Sequence, residues 1–170
     1  MKMTKGSSIS EFFKSKKPIF SLEFFPPKND AGGERILKTA GILKPYNPDF
    51  VSITYGAGGS TRETTMQYAR ILKNDFGFEV MPHLTCVGHT QDELLKILED
   101  FSEEGFCNIM ALRGDPPQGE TQFQPVKGGL SFATELVALI RKYFPHFGIG
   151  VGGYPEKHPE SPSTKEDLYH

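Results

Sequence analysis

Short β-rich runs alternate along this chain with longer segments of helical periodicity, at the roughly thirty-residue spacing of a βαβ unit. Five runs read as strands: Ile19–Phe25, Asp49–Tyr55, Glu79–Cys86, Cys107–Leu112 and Phe147–Gly153. They draw on Val, Ile, Phe, Tyr and Thr, the residues that suit a pleated, half-buried surface. The intervening periodicity predicts helices at Gly33–Leu43, Thr61–Phe76, Gln91–Glu104 and Leu130–Phe144. Leu94, Leu95, Ile97, Leu98 and Phe101 give the third of these an apolar stripe. Ser60 to Glu63 and Thr90 to Glu93 have the S/T-x-x-E spacing of a capping box, marking two helix starts independently of hydrophobicity. A third box, Ser163 to Glu166, follows Pro162 and predicts a helix beginning near Thr164. Before the first strand, Ile9, Phe12 and Phe13 predict a short amphipathic helix over Ser8–Lys14.

Sequential βα units build either an open doubly wound sheet or a closed (β/α)₈ barrel. Five units suffice for the open sheet. A barrel needs eight strands and about 250 residues, so a chain of 170 residues reads as an incomplete α/β barrel of about five units. We expect one partial domain over residues 1–170, with residues 1–17 as an extension or short helix. Missing strands would leave two parallel edges uncovered, so instability or self-association, as a homo-oligomer or with a complementary fragment, is expected of this length.

Composition narrows the function classes. A formal net charge of -2 argues against a strongly basic nucleic-acid binder and against an acidic tail. No run approaches the ~18 apolar residues of a spanning helix, and the Lys- and Ser-rich N-terminus lacks the apolar core of a secretory signal. Two cysteines, Cys86 and Cys107, are too few for a disulfide framework, which suggests a reducing, cytoplasmic setting.

Chemistry-bearing residues gather at the C-terminal ends of the strands, the face where barrels and open α/β sheets place their sites. They are Glu23, then Thr54 and Tyr55, then His83, then Arg113 and Asp115, then Tyr154 and His158. Glu23 interrupts an apolar strand and is followed by Phe24 and Phe25; a desolvated carboxyl there suits general-acid work, whereas an ion pair with Arg113 would hold it ionised. The turn Gly56-Ala57-Gly58-Gly59 lies between a strand and a capped helix but lacks the spacing of a phosphate-binding loop. Cys86 and His89 lack a second ligand pair at zinc-site spacing, so no metal site is expected. Arg113-Gly114-Asp115 sets a cation and an anion around a glycine; Arg suits bidentate phosphate binding, and Asp suits a heterocyclic N–H or a developing cation.

Leu22-Glu23-Phe24-Phe25-Pro26-Pro27, Thr54-Tyr55-Gly56-Ala57, His83-Leu84-Thr85-Cys86, Leu112-Arg113-Gly114-Asp115 and Gly153-Tyr154-Pro155-Glu156-Lys157-His158-Pro159-Glu160 occur in that order. In this the chain resembles the methylenetetrahydrofolate reductase family, from about Pro18 to His170. The resemblance implies the N-terminal part of a (β/α)₈ flavoprotein that uses FAD to pass hydride from NAD(P)H to 5,10-methylenetetrahydrofolate, forming 5-methyltetrahydrofolate for one-carbon and methionine metabolism. It implies Glu23 as the general acid that opens the folate ring and Asp115 as a catalytic residue near flavin and pterin. It also implies FAD contacts at Thr54, Tyr55, His83, Arg113, Gly114, Asp115, Phe132, Ala133, Tyr154, His158 and Asp167. Two other readings stay open from the residues: a noncatalytic half-barrel that binds a partner fragment, and an open-sheet nucleotide-binding protein, although Pro26-Pro27 stands where that fold carries a glycine loop.

Overall fold

Among the described residues five strands, β1 (Ser21–Phe24), β2 (Phe50–Ile53), β3 (Val80–Thr85), β4 (Asn108–Leu112) and β5 (Gly148–Val151), form one sheet whose spatial order is the chain order. Every neighbouring pair is parallel. The computed structural model describes residues 6, 8–14, 17–55, 62–116, 119–120 and 122–169, the side chain of Arg62 excepted. The Gly56–Thr61 turn, with the Ser60 half of the first capping box, lies outside the described residues. Each strand falls inside its predicted run and is shorter, because the run's terminal residues leave the ladder for the loops.

The strand order decides between the two architectures. A doubly wound sheet reverses direction partway, whereas here every crossover advances the same way, and crossovers of one hand put their helices on one face. This is the (β/α)₈-barrel arrangement, incomplete at five strands, and the open-sheet reading falls with it. Among the described residues nothing pairs with the outer edge of β1 or β5, and Val151 on β5 is 58% exposed.

Among the described residues six α-helices accompany the strands: α1 (Ile9–Phe12), α2 (Asp30–Leu43), α3 (Arg62–Asn74), α4 (Gln91–Glu103), α5 (Ala133–Tyr143) and α6 (Thr164–Tyr169). The box at α4 forms as read: Thr90 Oγ1 accepts from the Glu93 N–H at 3.3 Å, and Glu93 Oε2 accepts from the Thr90 N–H at 2.8 Å. At α6, Ser163 Oγ accepts from the Glu166 N–H. Helix α2 begins three residues before its predicted start because Asn29 caps it, its side chain accepting from the Gly32 N–H at 2.8 Å. Helix α5 begins three residues late. Phe132 at its N-cap has no side-chain acceptor, and the Glu135 carboxylate instead gathers the N–H groups of Ser131 and Phe132.

Alternation along the strands sorts the side chains onto two faces. Phe24, Val51, Ile53, Val80, Leu84, Ile109 and Ala111 turn outward and join the helices in one buried cluster. Of the predicted stripe of α4, Leu94, Ile97, Leu98 and Phe101 are fully buried in it, each worth about 1.5–3 kcal/mol, and Leu95 is only partly buried against it. The inner face carries Glu23, Ser52, His83 and Thr85 toward the C-terminal ends of the strands. At the opposite end Phe50 and Met81 pack with Ile9, and Phe12, Ile19 and Met110 complete this smaller cluster. Helix α1 thus plugs the N-terminal end of the half-barrel with Ile9 and Phe12, while Phe13 is 68% exposed.

Candidate active site

Parallel register places Glu23 beside Ser52, and both side chains face the interior. Ser52 Oγ donates to Glu23 Oε2 at 3.1 Å, and His83 Nε2 lies 3.5 Å from the same oxygen. Three adjacent strands therefore converge on one carboxylate oxygen. The Glu23 side chain is 48% exposed. The apolar pocket expected from its flanking aromatics does not form among the described residues, because Phe24 faces the helices and Phe25 is 69% exposed.

His83 and Thr85 follow each other on the inner face of β3. Both are buried, and among the described residues neither His83 Nε2 nor Thr85 Oγ1 has a hydrogen-bond partner. Such orphaned groups are rare in folded proteins and call for a partner. Burial pushes the His83 imidazole below its ordinary value of 6.5, and the Glu23 carboxylate only partly offsets this. The unfolded chain then binds more protons at His83 than the folded one below pH 6.5. Stability is therefore expected to fall as the pH drops from 6.5 toward about 5. Melting curves over that range should show a shallower pH slope for His83→Gln than for the unmodified protein; equal slopes would remove His83 as the cause.

Arg113, at the end of β4, does not reach Glu23. Its Nη1 and Nη2 donate to the two Glu160 oxygens at 2.6 and 2.9 Å, and the guanidinium lies 5.1 Å from the Phe123 ring centre. The ion-pair alternative for Glu23 is thereby corrected: Glu160 takes the Arg113 fork. Hydrogen bonding in this pair raises the Arg113 pKa and lowers that of Glu160. Gly114 follows with φ 88, and a Cβ there would stand 2.7 Å from Val87 Cγ1, so this turn needs glycine. Asp115 is exposed.

The β5–α6 loop presents Tyr154, whose ring meets His158 edge-on at 4.7 Å. His158 Nδ1 accepts from the Glu160 N–H, and the His158 N–H donates to Asp167 Oδ2 at 3.0 Å. In the neutral ring this leaves the proton on Nε2. Phe132 is 59% exposed at the start of α5, next to Ala133. Thr54 continues β2, donating its N–H to the Phe24 carbonyl and accepting Thr65 Oγ1. Tyr55 turns into the core, its hydroxyl 2.9 Å from His89 Nε2. Cys86 Sγ donates to the Leu112 and Phe132 carbonyls, and burial pushes its thiol up to about 12, so it stays protonated at neutral pH. Among the described residues no cluster of His, Cys, Asp and Glu is arranged to hold a metal ion. A cleft of about 450 Å³ between α4 and α5 lies on the outer layer, away from these residues.

A family model described as methylenetetrahydrofolate reductase matches residues 8–170. The chain belongs to the methylenetetrahydrofolate reductase family. It is 45% identical over 142 residues to methylenetetrahydrofolate reductase (NADH) 1 of Arabidopsis thaliana, covering 83% of this chain and 24% of that one. It is 38% identical over 148 residues to the 5,10-methylenetetrahydrofolate reductase of Escherichia coli strain K12, covering 87% of this chain and 48% of the relative. Methylenetetrahydrofolate reductase 2 of Saccharomyces cerevisiae is 37% identical over 157 residues, 91% of this chain and 26% of the yeast protein. The chain thus spans between about a quarter and a half of the length of these reductases.

The span matched to the reductase family contains every strand-end residue named above. Three further residues enter from the structure: Ser52, Thr85 and Glu160. Ser52 carried a readable signal, since it sits two positions before Thr54 on the same face of an otherwise apolar strand. Thr85 follows from His83 by the same alternation. Nothing in the spacing joins Glu160 to Arg113, 47 positions away.

Proposed function

We propose that this chain carries the N-terminal part of a cytoplasmic reductase site that converts 5,10-methylenetetrahydrofolate to 5-methyltetrahydrofolate, with FAD as cofactor and NAD(P)H as reductant. The observation that carries this reading is Glu23 on the inner face, one oxygen anchored by Ser52 and approached by His83, the other without a hydrogen bond among the described residues. The plant relatives are NADH-named reductases, which favours NADH here.

The residues present fit a flavin. His83 and Thr85 offer unsatisfied polar atoms, Gly114 leaves a backbone turn without side-chain bulk, and Tyr154 and Phe132 present exposed rings. With Thr54, Ala133, His158 and Asp167 these would hold the cofactor, whereas the Tyr55 side chain lies in the core against His89 and the Arg113 fork is taken by Glu160. When bound, FAD supplies hydride transfer between nicotinamide and folate. Glu23 gives its proton to the departing ring nitrogen of the folate; the C–N bond breaks and leaves an iminium whose carbon takes the hydride. Asp115, an exposed carboxylate side chain just beyond β4, favours that developing cation. Arg113 holds the β4 and β5 ends together through Glu160 rather than binding phosphate with a free fork.

The unpaired edges of β1 and β5 support a second reading, a half-barrel that is inactive until another segment or another copy covers them. One experiment separates the two. Purified alone, this length is expected to bind FAD weakly or not at all; joined to the remainder of the Escherichia coli relative's chain, it should purify yellow with stoichiometric FAD and oxidise NAD(P)H only when folate is supplied. A folded joined protein that takes up no FAD would overturn the reductase reading.

A further inference from the structure

Glu23 has three rotatable bonds and a half-exposed carboxyl, so its geometry must come from contacts. Only Oε2 has them. Ser52 is 6% exposed, and a buried hydroxyl needs an acceptor; the register that pairs Ser52 with Glu23 supplies one at 3.1 Å. His83 approaches the same oxygen from β3, across β2. Oε1 makes no hydrogen bond among the described residues, on a side chain that is 48% exposed.

We propose that Ser52 is a positioning residue for Glu23: its hydrogen bond anchors Oε2 beside His83 and thereby commits Oε1 to carrying the proton toward the interior of the barrel. This rests on the general-acid reading of Glu23 given above. A proton on Oε2 would face a hydroxyl that already donates there, and reversing the bond would strip that buried hydroxyl of its acceptor. Fixing one oxygen also removes the rotations that would otherwise spread the acidic proton over many directions, which is how orientation lowers a barrier.

The anchor can be tested without folate or flavin, because Glu23 acts on a second group that reports its position. His83 feels the Glu23 carboxylate as the interaction that raises its pKa against burial. The other inner-face neighbours, Ser52 and Thr54 from β2 and Met110 from β4, are uncharged. NMR titration of the His83 ring in this chain should therefore show a lower midpoint in Glu23→Gln. Ser52→Ala should move the midpoint in the same direction by a smaller amount, as the released carboxylate turns toward solvent, and Ser52→Thr should restore it. Ser52→Cys, close in shape but a poor donor, should behave like Ser52→Ala and serves if that variant fails to fold. A purely structural Ser52 would lower the melting temperature and leave the His83 midpoint in place. An unmoved midpoint in Ser52→Ala, or no recovery in Ser52→Thr, overturns the proposal. Should the titrations behave as expected while Glu23→Gln leaves folate reduction unchanged, the anchor stands and the acid reading alone falls.

Discussion

Glu23→Gln is expected to slow folate reduction by about 10²–10⁴-fold, the usual worth of a general acid, and to leave the nicotinamide-dependent half of the cycle within a small factor of its unmodified rate. Gln keeps the shape of the side chain and an oxygen able to accept from Ser52, so the inner face should survive the change. What it lacks is a proton for the departing nitrogen. The folate half-reaction breaks a C–N bond and depends on that proton; the nicotinamide half-reaction breaks none. Stopped-flow measurement of each half-reaction, in this chain joined to the remainder of a longer relative, separates the possibilities. Equal losses in both halves would mean that Glu23 positions the cofactor, and an unchanged folate half would remove it from the chemistry. The partial exposure of Glu23 bears on this test. Residues that complete the barrel would have to desolvate the carboxyl, since Phe24 and Phe25 do not.

The architecture was legible because local and global signals agree in this sequence. Alternation placed the five strands, the Thr90–Glu93 box located the start of α4 to the residue, and the unbroken succession of βα units left only the direction of winding open. Strand order, a property of pairing between distant segments, closed that question. Errors in the helix starts share one cause: capping by Asn29 and by Glu135 acts through side-chain geometry that hydrophobic periodicity does not report. The same limit governs the site. Residues two apart on one strand share a face, so Ser52 and Thr85 follow from Thr54 and His83. Which charges pair does not follow, because Arg113 had Glu23 and Glu160 both at loop-accessible strand ends, and only the path of the β5–α6 loop selects Glu160. Local pattern fixes the face of a residue, and chain path fixes its partner.

The docking of α1 was not legible at all, and it carries the second large effect. A four-residue helix has no stability of its own, so contacts must hold it. The polar contact is Asn108, fully buried on β4, whose Oδ1 accepts from the Ile9 N–H at 2.8 Å while its Nδ2 donates to Glu79 Oε1 at 2.7 Å. Asn108→Leu keeps the branching of the side chain and removes the acceptor, leaving the Ile9 N–H buried without this partner at a cost of about 1–3 kcal/mol. Once α1 lifts, Phe50 and Met81 lose their cover, and the loss grows. Gly148→Ala should act on the same contact from the neighbouring strand, since a Cβ there would collide with Asn108 Oδ1 and stand 2.8 Å from Ser8 Oγ. Two changes that break one contact should not add. The double variant is therefore expected to be little less stable than the worse single variant in urea unfolding, and all three should release the N-terminal segment to protease faster than the unmodified chain. Full additivity, or an N-terminus that stays protected in Asn108→Leu, would show that α1 is held by Ile9 and Phe12 packing alone.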